Sequence, residues 1–209
     1  MIARWIGRTM LDHPEPLVVG EVGFLERENG EAADASPRPG REDVGRIDCV
    51  LVHPDREPLH WCALEIQAVY FSGDKMQNEF QAILDHQDDS LPFPVGRRRP
   101  DYRSSGPKRL MPQLQVKVPT LRRWGKKMAV VVDESFFAAL GRMESVQDVS
   151  NADIAWLVVG YDESAGEARL KLTRIHLTTL ERAVEGLTAG YPVSLETFEA
   201  RIREKLARR

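Results

Sequence analysis

The chain has 209 residues, 42% apolar and 29% charged, with a formal net charge of −3. That is the composition of a globular protein long enough to bury a sizeable core. No apolar run reaches the roughly 18 residues of a membrane helix, and residues 1–16 lack the continuous apolar segment of a signal peptide, so the expected setting is the cytoplasm, with no membrane partner.

In chain order, a short helix is expected around residues 3–11, before the Pro14-Glu15-Pro16 break. Residues 17–25 (LVVGEVGFL) read as a strand or strand–turn. Residues 27–43, rich in Gly, Pro, Ala and acids, have no period and read as a loop. Residues 45–53 and 59–70 read as two strands joined by a polar turn at 54–58. Alternation puts Trp61, Ala63, Glu65, Gln67 and Val69 on one face of the second strand, with Cys62 on the other. If the strands pair as a hairpin, Asp48 lies across from the Glu65 face. The only cysteines, Cys49 and Cys62, are too few for a structural zinc site and read as buried free thiols.

After Tyr70, Ser72-Gly73-Asp74 looks like a helix start, followed by a stripe of Met76, Phe80, Ile83 and Leu84 that fades near Asp88 and Asp89. Pro92 and Pro94 lead into residues 97–127, which hold 11 Lys or Arg against one acid, Asp101. So segregated a block suits a polyanion, a solvated basic face being the plainer alternative. Residues 110–118 alternate like a strand, but their place before Pro119 favours a helix interrupted at that proline. Residues 128–132 (MAVVV) suit a strand covered on both faces, residues 134–140 a helix, 154–159 a second buried strand, and 168–176 an edge strand. Two helices close the chain. The first is capped by Thr178 with Glu181, striped by Leu180, Ala183, Val184 and Leu187, and closed by Gly190. The second is capped by Ser194 and striped by Leu195, Phe198, Ile202 and Leu206. A single α/β domain with a central mixed sheet flanked by helices is the simplest account.

Asp48, Glu65 and Gln67 form the candidate chemistry. Phosphodiester hydrolysis needs a divalent cation to neutralise charge on the phosphate oxygens, an aimed water and a held phosphate. Mg²⁺ takes oxygen ligands, commonly one or two carboxylates. Asp48 and Glu65 meet that need, and the main-chain carbonyl of Ile66 lies beside them. Gln67 cannot act as a base, but its amide can orient water or phosphate. The plain alternatives are Asp48 paired with Arg46, and Glu65 and Gln67 on a half-exposed face. Against these, Glu65 sits within WCALEIQAVY, where a buried charge is costly without a cation or partner. Lys117 can point at the phosphate, and Glu21, ahead of Glu26, can add a third carboxylate. Trp124 is expected to pack in the core rather than stack on a base. The histidines show no ligand spacing and suggest surface or turn roles.

GRIDCVLVHP followed by WCALEIQAVYFSG resembles the PD-(D/E)XK nuclease core in its D…ExQ variant. RRPDYRSSGPKRLMPQLQVKVPTLRRWGKKMAVVVDESFF, with SNADIAWLVVGYD and TTLERAVEGLTAGYPVSLETFE, resembles the NotI-type restriction endonuclease family. The likeness runs from about residue 45 to the C-terminus. It implies a type II deoxyribonuclease that cuts double-stranded DNA with Mg²⁺ and no organic cofactor, commonly as a homodimer on a palindromic site. On the matching positions Asp48 and Glu65 are metal ligands, and Gln67 stands where the superfamily usually has lysine. DNA contacts are expected from Arg97, Arg98, Arg99, Tyr102, Arg103, Lys108, Arg109, Lys117, Arg122, Arg123, Lys126 and Lys127. A four-cysteine iron site is not implied, because the only two cysteines lie in the hairpin. The rival readings are a repair or junction nuclease, an inactive DNA-binding protein on the same scaffold, and an interaction domain for an acidic partner.

Overall fold

The structure, a computed structural model, describes residues 1–26, 43–71, 73, 76–87, 98–164, 168–188 and 193–208. Its elements are α1 (Ile2–Ile6), prolonged by a π-helical turn over Gly7–Leu11, then strands β1 (Leu17–Val19), β2 (Val22–Glu26), β3 (Asp43–Ile47), β4 (Cys49–Val52) and β5 (Trp61–Ile66). There follow α2 (Met76–Leu84), α3 (Tyr102–Ser105), a π-helical turn over Gly106–Leu110, α4 (Met111–Arg123), β6 (Met128–Asp133) and α5 (Glu134–Ala139). The chain closes with β7 (Ile154–Asp162), β8 (Arg169–Thr178), α6 (Leu180–Thr188) and α7 (Leu195–Ala207).

Six strands form a mixed sheet in the order β1-β4-β5-β6-β7-β8, and β2 pairs with β3 in a separate two-stranded sheet. β5, β6 and β7 run parallel, while β1, β4 and β8 join by antiparallel pairings. The fold is therefore α/β with a central mixed sheet flanked by helices. β6 is fully buried over its first five residues, as its unbroken apolar run requires, and β8 is the edge strand its alternation predicts. One sheet face packs Ala63, Val130 and Trp156 against Leu114, Val118 and Leu121 of α4, Phe136 of α5 and Leu187 of α6. The other packs Cys62, Leu64, Val131 and Leu157 against Ile6 and Leu11. Burying a leucine of this kind is worth roughly 1.5–3 kcal/mol, so α4 is fixed to the sheet mainly by its three aliphatic contacts.

Several expectations are corrected. The run 45–53 is not one strand: β3 pairs with β2, the chain bends at Asp48, and β4 pairs with β5. Residues 17–25 likewise split between the two sheets, Leu17–Val19 against β4 and Val22–Glu26 against β3. Residues 110–118 are helical, as their place in the chain favoured, but the helix continues through Pro119 to Arg123. The missing proline N–H frees only the carbonyl of Gln115, an exposed residue that water can serve. Thr178 does not cap α6: it ends β8 with its hydroxyl accepting from the Trp156 indole at 2.9 Å. Thr179 instead accepts from Arg182 N at 3.4 Å, and Asp153 takes the Leu180 amide at 2.9 Å. Ser194 does cap α7, accepting from Thr197 N at 3.2 Å. Neither α2 nor α7 buries a residue, so their apolar stripes face outward. Expectations on Ser72, Asp74, Asp88, Asp89, Pro92, Pro94, Gly190, Arg97 and residues 27–42 lie outside the described residues.

Candidate active site

Glu65 shares its strand face with Ala63, so it points beneath α4. Its side chain is 4% exposed. The β4–β5 ladder ends by pairing Cys49 with Leu64. Asp48 lies one step further along that register, opposite Glu65, at the bend between the two sheets. Its side chain is 59% exposed. One carboxylate is thus buried in the core and the other sits at its rim.

Between them stands Lys117. Leu114, Val118 and Leu121 turn one face of α4 to the sheet, and Lys117, three residues after Leu114 and four before Leu121, lies on the same stripe. Its Nζ donates to Glu65 Oε2 at 2.6 Å and to Gln113 Oε1 at 3.0 Å, and lies 3.6 Å from Asp48 Oδ1. Burial pushes the Glu65 carboxyl above its ordinary pKa. Lys117 pulls it back down, and the neighbouring Asp48 adds to the rise.

Gln67 follows the end of β5. Its backbone amide donates to Val131 O at 3.0 Å, and its buried side-chain amide donates to Ala68 O at 2.6 Å. The carboxamide is therefore tied to its own neighbour. Ile66 projects to the opposite face, 58% exposed, while its main chain runs directly on from Glu65. Two carboxylates and a main-chain carbonyl are hard oxygen donors suited to Mg²⁺, which keeps several non-protein ligands. The ammonium between the carboxylates marks the point where their negative potential converges, and a cation of that kind fits there. Among the described residues no group of three or more His, Cys, Asp or Glu gathers to hold a metal. Glu21 gives its carboxylate to Arg46 at 3.0 Å, and Asp48 faces Lys117 rather than Arg46.

The basic block is spread along the α3–α4 helix. Arg109 and Arg123 are 14 residues apart, about 21 Å at helical rise. At the α3 end, Asp101 N donates to Tyr70 O at 2.6 Å and Tyr70 N to Ser105 Oγ at 2.9 Å. These bonds hold exposed Arg103, Lys108 and Arg109 near the outlet of β5, with the Arg109 guanidinium 3.7 Å from the centre of the Tyr70 ring. Arg99 is exposed in the same stretch, Arg98 pairs with Glu79 at 2.7 Å, and Tyr102 stacks on Phe136. At the other end the cations turn to the protein itself. Arg122 binds Asp153 and Glu181, Arg123 donates to Thr120, Lys126 to the Leu59 carbonyl, and Lys127 to the Ser150 and Ala152 carbonyls.

Trp124 is not in the core. It is 49% exposed and meets Trp61 edge-on at 6.3 Å, because α4 ends beside it and Gly125 turns the chain with φ 64. His53 takes a turn role, buried with Nδ1 accepting from Asp55 N, whereas His176 lies in β8 and packs against Phe137. Burial pushes the Cys62 thiol up to about 12, while Cys49 is only half-buried. The residue that sequence reasoning left unassigned is Gln113, one helical turn before Lys117; the spacing was the available signal.

The family model described as Restriction endonuclease NotI matches residues 1–172. No curated protein sequence matches the chain.

Proposed function

The chain belongs to the NotI restriction endonuclease family and is accordingly a type II restriction endonuclease, a DNA hydrolase, and we propose that its reaction is run by Asp48, Glu65, Gln67 and Lys117 with Mg²⁺. The observation that carries this reading is the meeting of Asp48 and Glu65 on Lys117, one carboxylate buried and one at the rim. Mg²⁺ held by Asp48, Glu65 and the Ile66 carbonyl would supply Lewis-acid stabilisation of the charge that builds on the phosphate. Lys117 binds a non-bridging phosphate oxygen from the helix side. It takes the place of the lysine that the resemblance leads one to expect at position 67. Gln67 releases its amide from the Ala68 carbonyl and orients the attacking water. Being neutral, it aims the water without taking its proton.

DNA approaches along the α3 end of the long helix, where Arg99, Arg103, Lys108 and Arg109 meet its phosphates. Arg122, Lys126 and Lys127 hold the far end of α4 and the start of β6 in place. Two copies acting on a palindrome account for cutting both strands.

The test is digestion of mixed genomic and phage DNA by the full chain, with Mg²⁺ or EDTA, beside Glu65→Gln. Discrete bands that need Mg²⁺ and vanish in the variant are expected. DNA binding without cleavage on varied templates would replace this reading with an inactive scaffold. A featureless smear lost in the variant would retain the role of Glu65 and remove site specificity.

A further inference from the structure

The carboxylate pair already holds a cation of its own. Lys117 Nζ touches Glu65 at 2.6 Å and Gln113 at 3.0 Å, and stands 3.6 Å from Asp48. The side chains of Lys117 and Glu65 are 7% and 4% exposed, so the contact is largely shut off from water. Resting on the assignment of Asp48 and Glu65 as metal ligands, we propose that Lys117 is a built-in counter-ion that makes metal binding depend on DNA. It neutralises part of the pair in the free protein, and a divalent cation binds tightly only when a DNA phosphate arrives to take up the ammonium's charge.

Two carboxylates and one ammonium leave a single negative charge. Adding a divalent cation with the ammonium still in place reverses it to a single positive charge beside the buried Lys117–Glu65 contact, which is unfavourable. A phosphodiester then brings the site to neutrality. Without Lys117, the two carboxylates and a divalent cation are neutral by themselves, and no phosphate is required. The coupling is reciprocal: the factor by which DNA tightens the metal is the factor by which the metal tightens DNA. The geometry supports such an exchange. Lys117 reaches in from a helix, on a long flexible stem, while its partners Asp48 and Glu65 belong to the sheet side. The ammonium can leave the pair without moving either carboxylate.

The experiment measures Mn²⁺ binding to the full chain without DNA, by electron paramagnetic resonance, for the wild type, Lys117→Met, Lys117→Arg and Glu65→Gln. Lys117→Met should bind Mn²⁺ roughly 5- to 150-fold more tightly than wild type, the range of ordinary coupling between sites. Lys117→Arg, which keeps the charge, should stay near wild type. Equal or weaker binding by Lys117→Met, with wild-type binding still lost in Glu65→Gln, would overturn the counter-ion role and leave the metal ligands standing. Binding indifferent to Glu65→Gln in every variant would overturn both assignments. Should Lys117→Met be unstable without metal, the Mn²⁺-induced rise in Tm at one Mn²⁺ concentration is compared instead, since stabilisation by a ligand grows with the logarithm of its affinity. A larger rise than wild type supports the proposal, and an equal or smaller one overturns it.

Discussion

Arg122 and Asp153 form a forked pair, Nε to Oδ1 at 3.0 Å and Nη2 to Oδ2 at 2.5 Å, and the same carboxylate receives the Leu180 amide at the start of α6 at 2.9 Å. One acid thus joins the end of α4 to the start of α6. These hydrogen bonds hold the Arg122 guanidinium above its ordinary pKa. Arg122→Ala should therefore lower stability, by about 1 kcal/mol for a half-exposed forked pair. It should leave the salt dependence of DNA binding unchanged. Urea denaturation and fluorescence anisotropy across a salt series check both halves, and a shallower salt slope would show that Arg122 touches phosphate.

Arg103 and Lys108 should behave in the opposite way. Both are exposed near the outlet of β5. Replacing both by alanine should reduce the slope of log affinity against log salt by about 2, close to one for each phosphate no longer neutralised, with the urea midpoint unmoved. An unchanged slope would place the DNA on another face.

Glu65 predicts two pH effects of opposite sign. Burial holds its carboxyl above the ordinary glutamate value, with Lys117 offsetting only part of the rise. Cleavage requires the ionised carboxylate, so kcat/KM should fall on acidification at a pH above the ordinary glutamate range. For stability, the folded state keeps the proton between the unfolded pKa and the higher folded pKa. The contribution of Glu65 is then fully present below the unfolded pKa and is lost as pH rises through the folded one. Rate profiles, together with the difference in unfolding free energy between wild type and Glu65→Gln across pH, measure the two. An acid limb at ordinary carboxylate pH would contradict the raised value.

Trp156 and Thr178 are both fully buried, and the indole N–H donates to the threonine hydroxyl at 2.9 Å. Thr178→Val preserves shape but strands that donor, which should cost about 1–3 kcal/mol. Thr178→Ser should retain most of the stability. Denaturant midpoints for the pair decide it, and equal losses would mean that the methyl group, rather than the hydroxyl, matters.

Much of this arrangement can be read from local pattern. The run from Met128 to Val132 spells a strand covered on both faces and lies inside the sheet. Side-chain alternation alone separates Glu65 and Gln67 from Cys62. The bend at Asp48 is different. Nothing in residues 45–53 breaks the strand pattern, because the break is a change of pairing partner from β2 to β5, and partner choice is not written locally. Lys117 meets Glu65 across 52 positions of chain. Its place on the stripe of Leu114, Val118 and Leu121 foretells that it faces inward, but what it meets there depends on how α4 lies on the sheet. The basic block shows the limit of counting charge: composition treats Arg103 and Arg122 alike, and only packing separates a solvent-facing arginine from one bound to Asp153.

Because the chain changes sheets at Asp48, the two carboxylates belong to units of unequal durability. Glu65 is embedded in the middle of the larger sheet, whereas Asp48 hangs from its junction with a two-stranded ribbon. Two-stranded ribbons are marginal by themselves and open at low free energy. Amide hydrogens of β2 and β3 should therefore exchange with solvent well before those of β5 and β6. Asp48 is therefore the acid whose position follows the ribbon, and the exchange rate of those amides measures how long the pair stays assembled.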